Sequence, residues 1–298
     1  MGVPNVGDDV ERAAEILGNG GLVAIPTETV YGLAAVARDV RAVRRIYEVK
    51  GRPSDHPLIV HLHDGDDAVE WTDDWPSSAA TLTQRWWPGP LTVVVRRSPI
   101  VPDVVTGGHH TVALRVPDHP LTLRLLAIVG DGLAAPSANR FGHVSPTTAR
   151  HVEVDLGTQV DYVLDGGPCP VGLESTIVDC TNDPVQILRP GHVTREDVET
   201  TLIRVAESSG PSRAPGMLAS HYAPACRLVL HEHLPGELPH GEPLVDASGD
   251  PRSFARDMYE ILRRADVEGV STLHVVLPPP RGIGVAIRDR LTKAAAGR

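Results

Sequence analysis

Four short polar segments stand directly against apolar sequence: Pro26-Thr27-Glu28-Thr29, Lys50-Gly51-Arg52, Ala135-Pro136-Ser137-Ala138-Asn139 and Glu174-Ser175-Thr176. Together they offer hydroxyls, an amide and fixed cations with little apolar surface, a donor-rich set that suits an anionic ligand. Any one of these loops is explained by capping and turn formation, for which Ser, Thr and Asn are common choices. Their number points to a site. Lysine usage adds to this: of 28 Lys and Arg residues only Lys50 and Lys293 are lysine. A compact ammonium and a planar guanidinium are not interchangeable, so Lys50 is either a chance lysine, as Lys293 near the C-terminus shows can occur, or a position that needs the ammonium.

Familiar catalytic machinery is missing from the sequence. It contains no G-x-S-x-G, no G-x-x-x-x-G-K-[ST], no H-E-x-x-H and no G-x-G-x-x-G after an apolar run. His61 with His63, and His231 with His233, have the spacing that puts two imidazoles on one face of a strand. Neither pair has the neighbouring Cys or paired carboxylates of a zinc site, and no metal ligand is assigned. Cys169, Cys180 and Cys226 form no C-x-x-C pair and no even framework, which reads as reduced, ordinary cysteines.

The elements that must position these loops alternate between strand and helix. Apolar spacing at Val10, Ala13, Ala14 and Leu17 predicts a helix over residues 9–18, and Leu22 to Ile25 a strand stopped by Pro26. A helix over residues 41–49 places Val40, Val43, Ile46 and Tyr47 on one side and Arg41, Arg44 and Arg45 on another. Further strands are expected at Leu58–Leu62, Leu91–Val95, Val112–Val116 and Tyr162–Leu164. The pattern describes one α/β domain over residues 1–205. Residues 206–225, rich in Ser, Gly, Pro and Ala, read as a linker. Beyond it, strands near 227–230, 244–245 and 272–277, a stripe at Phe254, Met258, Ile261 and Leu262, and a last helix over 285–296 make a small α/β unit over 226–298.

With 298 residues, 41% of them hydrophobic, the chain can build one large core and one small one. No apolar run reaches the roughly 18 residues of a membrane helix and no leader-like start is present, so a cytoplasmic protein with no membrane partner is expected. A formal net charge of −10 disfavours broad adhesion to nucleic acid or anionic lipid.

At the same segments the chain resembles the threonylcarbamoyl-AMP synthase family, whose catalytic unit is the YrdC-type domain. The resemblance is carried by PTETVYGLA (26–34), KGRP (50–53), HPLIVH (56–61), PGPLT (88–92), VALRVP (112–117), APSAN (135–139), SPT (145–147), EST (174–176) and LRPG (188–191). PGMLASHYAP (215–224) and the region after it are similar to the family's longer, two-domain form. Two departures stand out. Gly142-His143-Val144 precedes SPT where the family often has Arg or Pro, and His56 stands where Asn is also common.

The resemblance implies a twisted mixed sheet curled around a cleft, a linker crossing the cleft mouth and a small Rossmann-like C-terminal domain. It implies a nucleotidyltransferase that joins L-threonine, bicarbonate or carbon dioxide, and ATP into threonylcarbamoyl-AMP and pyrophosphate. Downstream transfer proteins then modify tRNA adenosine beside the anticodon; direct tRNA contact is not required. On this basis Thr29, His61, Arg115, Ala135 and Ser175 would contact threonine. Arg52, His56, Thr111, Ser137, Ser145, Arg189 and Tyr222 would hold ATP, and Lys50, Arg52 and Asn139 are catalytic candidates, with Lys50 facing phosphate. Mg2+ is expected to arrive with ATP, and no prosthetic group is expected.

Two other readings compete. A non-catalytic RNA-binding protein of this fold would use Arg41, Arg44, Arg45, Lys50 and Arg52 on phosphates, with steep salt dependence and no turnover. A carbamoyl-transfer protein of the hydrogenase-maturation type would need zinc-binding cysteine motifs and a longer chain.

Overall fold

The computed structural model describes residues 5–202, 204–206 and 221–297. Most of the expected linker, residues 207–220, lies outside the described residues. In chain order the first part runs β1 (Val6–Gly7), α1 (Val10–Gly18), β2 (Val23–Ile25), β3 (Gly32–Val36), α2 (Val40–Lys50), β4 (Ile59–His61), α3 (Ala68–Trp71), α4 (Ser77–Trp86) and β5 (Leu91–Arg96). It continues with α5 (Asp103–Thr106), β6 (Thr111–Arg115), α6 (Pro120–Val129), β7 (Leu133–Ala134), α7 (Ala149–Leu156), β8 (Tyr162–Leu164), β9 (Thr176–Asp179), β10 (Val185–Arg189), α8 (Arg195–Thr201) and β11 (Val205–Ala206). These strands form one mixed sheet in the order β1-β8-β2-β3-β7-β4-β6-β5-β9-β10-β11.

Two parallel pairs matter for the site. β4 lies parallel to β6 with His61 opposite Arg115, and β5 lies parallel to β9 with Leu91 opposite Thr176. The carboxyl ends of parallel strands are where α/β folds place ligands. His61 and Arg115 are the last residues of their strands, and the Glu174-Ser175 loop leads into β9.

Helix α2 shows how local sequence rules place a functional side chain. Asp39 caps it, accepting the N–H groups of Arg41 at 2.9 Å and Ala42 at 3.1 Å. Its buried residues are Ala42, Val43, Ile46, Tyr47 and Lys50, so Lys50 occupies the apolar stripe in the last turn. Gly51, at φ 62°, then ends the helix in the left-handed conformation that glycine adopts without a Cβ penalty.

After the linker come β12 (Arg227–His231), β13 (Leu244–Asp246), α9 (Pro251–Val267), β14 (Thr272–Val276) and α10 (Ile283–Ala295). The three strands form a parallel sheet in the order β12-β14-β13. Leu228, Leu273 and Val275 from this sheet join Met258, Leu262, Ile287 and Leu291 from α9 and α10 in one apolar cluster. Val30, Val144 and Leu173 of the first domain belong to the same cluster, so the two domains share a core surface. Burial of each such side chain contributes roughly 1.5–3 kcal/mol. Polar contacts reinforce the junction: Arg263 forms an ion pair with Asp155 at 2.6 Å, and His151 Nε2 lies 2.8 Å from Glu260.

The expected strands and helices recur within a few residues of their positions. Twelve further elements, β1, β3, β7, β9, β10, β11, α3, α4, α5, α6, α7 and α8, were not expected from the sequence. No helix among the described residues is long and apolar enough to cross a membrane.

Gly172 of the first domain packs against the Arg256 backbone of α9. Its φ is 68°, and a Cβ there would lie 2.3 Å from the Arg256 carbonyl oxygen. Gly172→Ala combines left-handed strain of about 1–2 kcal/mol with a backbone clash. It is expected to lower the thermal midpoint by several degrees, on the order of 2–4 °C per kcal/mol. A wild-type midpoint by calorimetry would contradict this close packing.

Candidate active site

A cavity opens where the ends of β4 and β6 meet the loops of residues 27–32, 135–137 and 174–175. Thr27 shapes the first loop. Its hydroxyl donates to the Val30 carbonyl at 2.6 Å and accepts the N–H groups of Thr29 at 3.1 Å and Val30 at 3.2 Å. The Thr27 and Thr29 hydroxyls are 2.9 Å apart. With the Thr27 proton committed to Val30, Thr29 is the donor of that pair and keeps acceptor capacity on the cavity wall.

The second loop is stitched to the first. Leu33 N–H donates to the Pro136 carbonyl at 2.7 Å, Ala138 N–H to the Tyr31 carbonyl at 2.8 Å, and Ala135 N–H to the Ile59 carbonyl at 2.9 Å. Lys50 secures it from behind, with Nζ 2.5 Å from each of the Ser137 and Asn139 carbonyl oxygens. Burial, assisted by Arg52, pushes the lysine pKa well below its ordinary value. Asn139 is fully buried and donates its amide to the carbonyls of Arg140 at 2.8 Å and His143 at 2.9 Å, fixing the turn after Ala138.

On the strand side His61 and Arg115 stand together. Burial and the neighbouring Arg115 push the His61 pKa down to about 3, so its ring is neutral at physiological pH. Arg115 Nε donates to the Gly89 carbonyl at 3.2 Å. Its Nη2 lies 2.6 Å from Glu28 Oε1, but off the hydrogen-bonding direction. That misaligned pair leaves hydrogen-bonding capacity for an incoming anion.

The lining also includes Arg52, Arg189, Glu174, His221 and Tyr222. Arg52 Nη2 donates to the Pro57 carbonyl at 3.0 Å, and its guanidinium lies 5.6 Å from the Phe141 ring centroid. Arg189 Nη2 donates to both the carbonyl and the hydroxyl of Ser175, at 2.9 Å and 3.0 Å. Gly191 allows this closeness: a Cβ there would lie 2.4 Å from the Thr176 nitrogen. Tyr222, 1% exposed, holds φ at 64°, a strained region for a bulky residue that points to a functional constraint.

Relatives share this architecture over its full length. The Sua5, YciO and YrdC family model, described as telomere recombination, matches residues 15–191. A second, described as threonylcarbamoyl-AMP synthase, C-terminal domain, matches residues 193–296. A threonylcarbamoyl-AMP synthase of Bacillus subtilis (strain 168) is 39% identical over 97% of this chain and 93% of its own length. That of Pyrococcus abyssi is 37% identical over 97% of this chain and 94% of its own. The crystal structure of P. abyssi Sua5 complexed with L-threonine superimposes with a TM-score of 0.89 at 34% identity, covering 99% of this chain and 97% of that one. The chain belongs to the threonylcarbamoyl-AMP synthase family.

Of the residues carried over from the family resemblance, Thr29, His61, Arg115, Ala135 and Ser175 all line the cavity, as do Arg52, Ser137, Arg189 and Tyr222. Others are not on its wall. Ser145 is turned to Glu174, its hydroxyl donating at 2.6 Å. His56 packs edge-on against Phe141 with ring centroids 5.5 Å apart. Thr111 opens β6 at the end away from Arg115, about 13 Å along the strand at ~3.3 Å per residue, and lines a surface pocket with Arg97 and His110. Lys50, expected to face phosphate, has its ammonium against two carbonyls behind the wall, because the helix period puts it on the buried side of α2. The expected roles left out Thr27, Glu174 and His221, although the first two belong to the polar loops that drew attention.

The arginine group proposed for RNA phosphates does not form one surface. Lys50 and Arg52 are buried and Arg45 pairs with Asp161 at 3.0 Å, while Arg41 and Arg44 are exposed on α2. The two histidine pairs also separate. β4 ends at His61 and His63 is exposed, whereas His231 Nε2 lies 2.8 Å from His274 Nδ1. Among the described residues no three side chains form a metal-binding group.

Glu174 gives the site a measurable acid signature. Burial alone would raise its pKa, but the charges of Arg290 and Arg189, with hydrogen bonds from Ser145 and Arg290, outweigh burial and hold it down to about 2 from the ordinary 4.5. A folded value below the unfolded one means the ionised group stabilises the fold fully above pH 4.5 and loses that contribution as pH falls toward 2. The shift corresponds to about 3 kcal/mol. The buried neutral histidines His61 and His221 also favour higher pH, their stabilising effect fading from pH 6.5 downward; the His61 part is common to any Glu174 variant, whereas the Glu174 charge holds the His221 pKa up against burial and its loss trims the difference only near pH 3. Between pH 5 and pH 3 the wild type is expected to lose about 2 kcal/mol more than Glu174→Gln in urea unfolding. Parallel pH curves would contradict the assignment.

Proposed function

We propose that the chain is a nucleotidyltransferase that makes threonylcarbamoyl-AMP from L-threonine, bicarbonate or carbon dioxide, and ATP, releasing pyrophosphate. The observation that carries this reading is a single cavity whose strand-end wall bears Thr29, His61, Arg115, Ala135 and Ser175 and whose other wall bears Arg52, Ser137, Arg189 and Tyr222. A relative crystallised with L-threonine supports the amino-acid half.

The threonine nitrogen adds to carbon dioxide to give a carbamate and releases a proton. A carbamate oxygen then attacks the α-phosphorus of ATP, and the bond from that phosphorus to the bridging oxygen breaks to free pyrophosphate. Both partners are anions, so the protein's task is to hold them together and to meet phosphate charge with fixed donors. Arg115 takes the threonine carboxylate with the capacity its misaligned contact with Glu28 leaves. Neutral His61 contributes one N–H without adding charge. Arg52 and Arg189 meet the phosphates, and Lys50, with two of its three N–H donors on carbonyls, keeps the third for an oxygen reaching that side of the loop.

Magnesium, arriving with ATP, would supply charge neutralisation on phosphate oxygens. The donor set suits an ion that arrives on the nucleotide: Glu174 is engaged by Arg290, Tyr259 and Ser145, leaving phosphates and water as the main ligands. The product serves transfer proteins that modify tRNA adenosine, and nothing in this reading requires the chain itself to grip tRNA.

Purified protein is expected to release pyrophosphate from ATP only with both L-threonine and bicarbonate present, with the adenylate detectable by mass spectrometry. ATP binding without threonine-dependent release would overturn the reading in favour of a binding protein. Arg115→Ala should raise the threonine KM by roughly 10- to 100-fold, the effect of losing a charged hydrogen bond, with a much smaller change for ATP. Lys50→Ala should lower turnover at least ~10-fold and cost ~1–3 kcal/mol of stability, since two buried carbonyls lose their donor. Wild-type turnover in that variant would remove Lys50 from the site.

A further inference from the structure

The C-terminal domain backs the cavity wall through α9 and α10, which contact Glu174 without lining the cavity. Arg290 on α10 is 1% exposed, and its Nε donates to Glu174 Oε2 at 2.8 Å. Tyr259 on α9 donates its hydroxyl to the same carboxylate, 2.9 Å and 2.8 Å from its two oxygens, and Ser145 approaches from the first domain. Arg290 Nη2 donates to the Pro190 carbonyl at 3.0 Å, next to Arg189. The same guanidinium lies 5.0 Å from the Tyr222 ring centroid, and the Tyr222 and Tyr259 rings stack at 6.0 Å. One buried cation of the second domain thus contacts a carboxylate on the cavity wall, the backbone beside a wall arginine, and the strained tyrosine on that wall.

We infer that Arg290, with Tyr259 beside it, is a positioning residue for the nucleotide half of the site, so that the C-terminal domain completes the ATP pocket rather than merely hanging from it. Two physical effects follow from the contacts. Pairing with Arg290 cancels the Glu174 charge where a polyanion must bind; unpaired, that carboxylate would repel phosphate across a water-poor cavity. The cation on the Tyr222 face fixes the ring in a backbone conformation it would otherwise leave. The proposed threonine set rests mainly on the ends of β4 and β6 and on the Thr27 loop; only its Ser175, next to Glu174, borders the Arg290 contacts, so the two substrates should respond differently to change at Arg290.

This inference rests on the proposed function for the identity of the ligand, and direct binding keeps the two tests apart. The full-length wild type, Arg290→Lys and the double variant Arg290→Met with Glu174→Gln are titrated by calorimetry with ATP and, separately, with L-threonine, after the folded fraction is checked by circular dichroism. The double variant removes both buried charges together, which avoids an unpaired carboxylate in the junction. It is expected to bind threonine within twofold of wild type and ATP at least ~10-fold more weakly, because Tyr222 has lost its cation. Arg290→Lys, which keeps a charge but not the planar fork, should fall between. ATP affinity within twofold of wild type in the folded double variant, or equal losses for both ligands, would overturn the positioning role. If the double variant does not fold, Arg290→Lys decides by the same criterion. A wild type that binds no ATP would instead count against the proposed function.

Discussion

Buried positive charge is the constraint on which this structure turns. An ion moved out of water costs several kcal/mol unless partners replace its hydration. Around the cavity those partners are largely backbone carbonyls: Ser137 and Asn139 for Lys50, Pro57 for Arg52, Gly89 for Arg115 and Ser175 for Arg189. A carbonyl dipole satisfies the donor without cancelling its full charge. Among the described residues five buried cations, Arg290 included, therefore stand near two buried carboxylates, Glu28 and Glu174, and the wall keeps a positive bias for anions.

The same arrangement explains why the polar segments must be loops. A strand or helix spends its carbonyls on its own ladder, whereas the turns at 135–139 and 174–175 leave theirs for side chains. Each loop is then held by the cation it serves: removing Lys50 would release the carbonyls of Ser137 and Asn139 as well as the charge. Binding chemistry and loop conformation are one set of contacts here, and small changes in either reach the other.

Much of this was legible in the sequence. The apolar spacing around Val43, Ile46 and Tyr47 placed α2, the run at Leu58–Leu62 placed β4, and the ordered motifs named nine residues that line the cavity. The strands β7 and β11, of two residues each, carry too little periodicity to be seen. The placement of Lys50 was recoverable, since extending the stripe from Val43 through Ile46 and Tyr47 by one step puts residue 50 on the buried face. Arg290 has the same signature, falling in line with Ile283, Ala286, Ile287, Leu291 and Ala294 on α10. A cation on an apolar stripe announces a buried partner, but the identity of that partner, Glu174, lies 116 residues away and depends on tertiary structure. Thr111 illustrates the converse: a motif supplies the residue but not which end of a strand faces the site.

The two halves of the cavity are built from different material, and this has a mechanical consequence. The proposed threonine side hangs from the ends of paired strands in the middle of an eleven-stranded sheet, with His61 and Arg115 in register and the Thr27 loop bonded to its neighbours. Moving either side chain relative to the other would require breaking ladder hydrogen bonds. The proposed nucleotide side joins the end of β10 at Arg189 to loops, to residues from 221 onward and, behind them, to two helices of another domain, and apart from β10 its side-chain contacts can be remade without disturbing the sheet. A small amino acid is selected best by a rigid frame, whereas a large, highly charged nucleotide needs a wall that can close around it and then release pyrophosphate. Placing Tyr222 and Arg290 on the adjustable side gives the site both properties in one cavity.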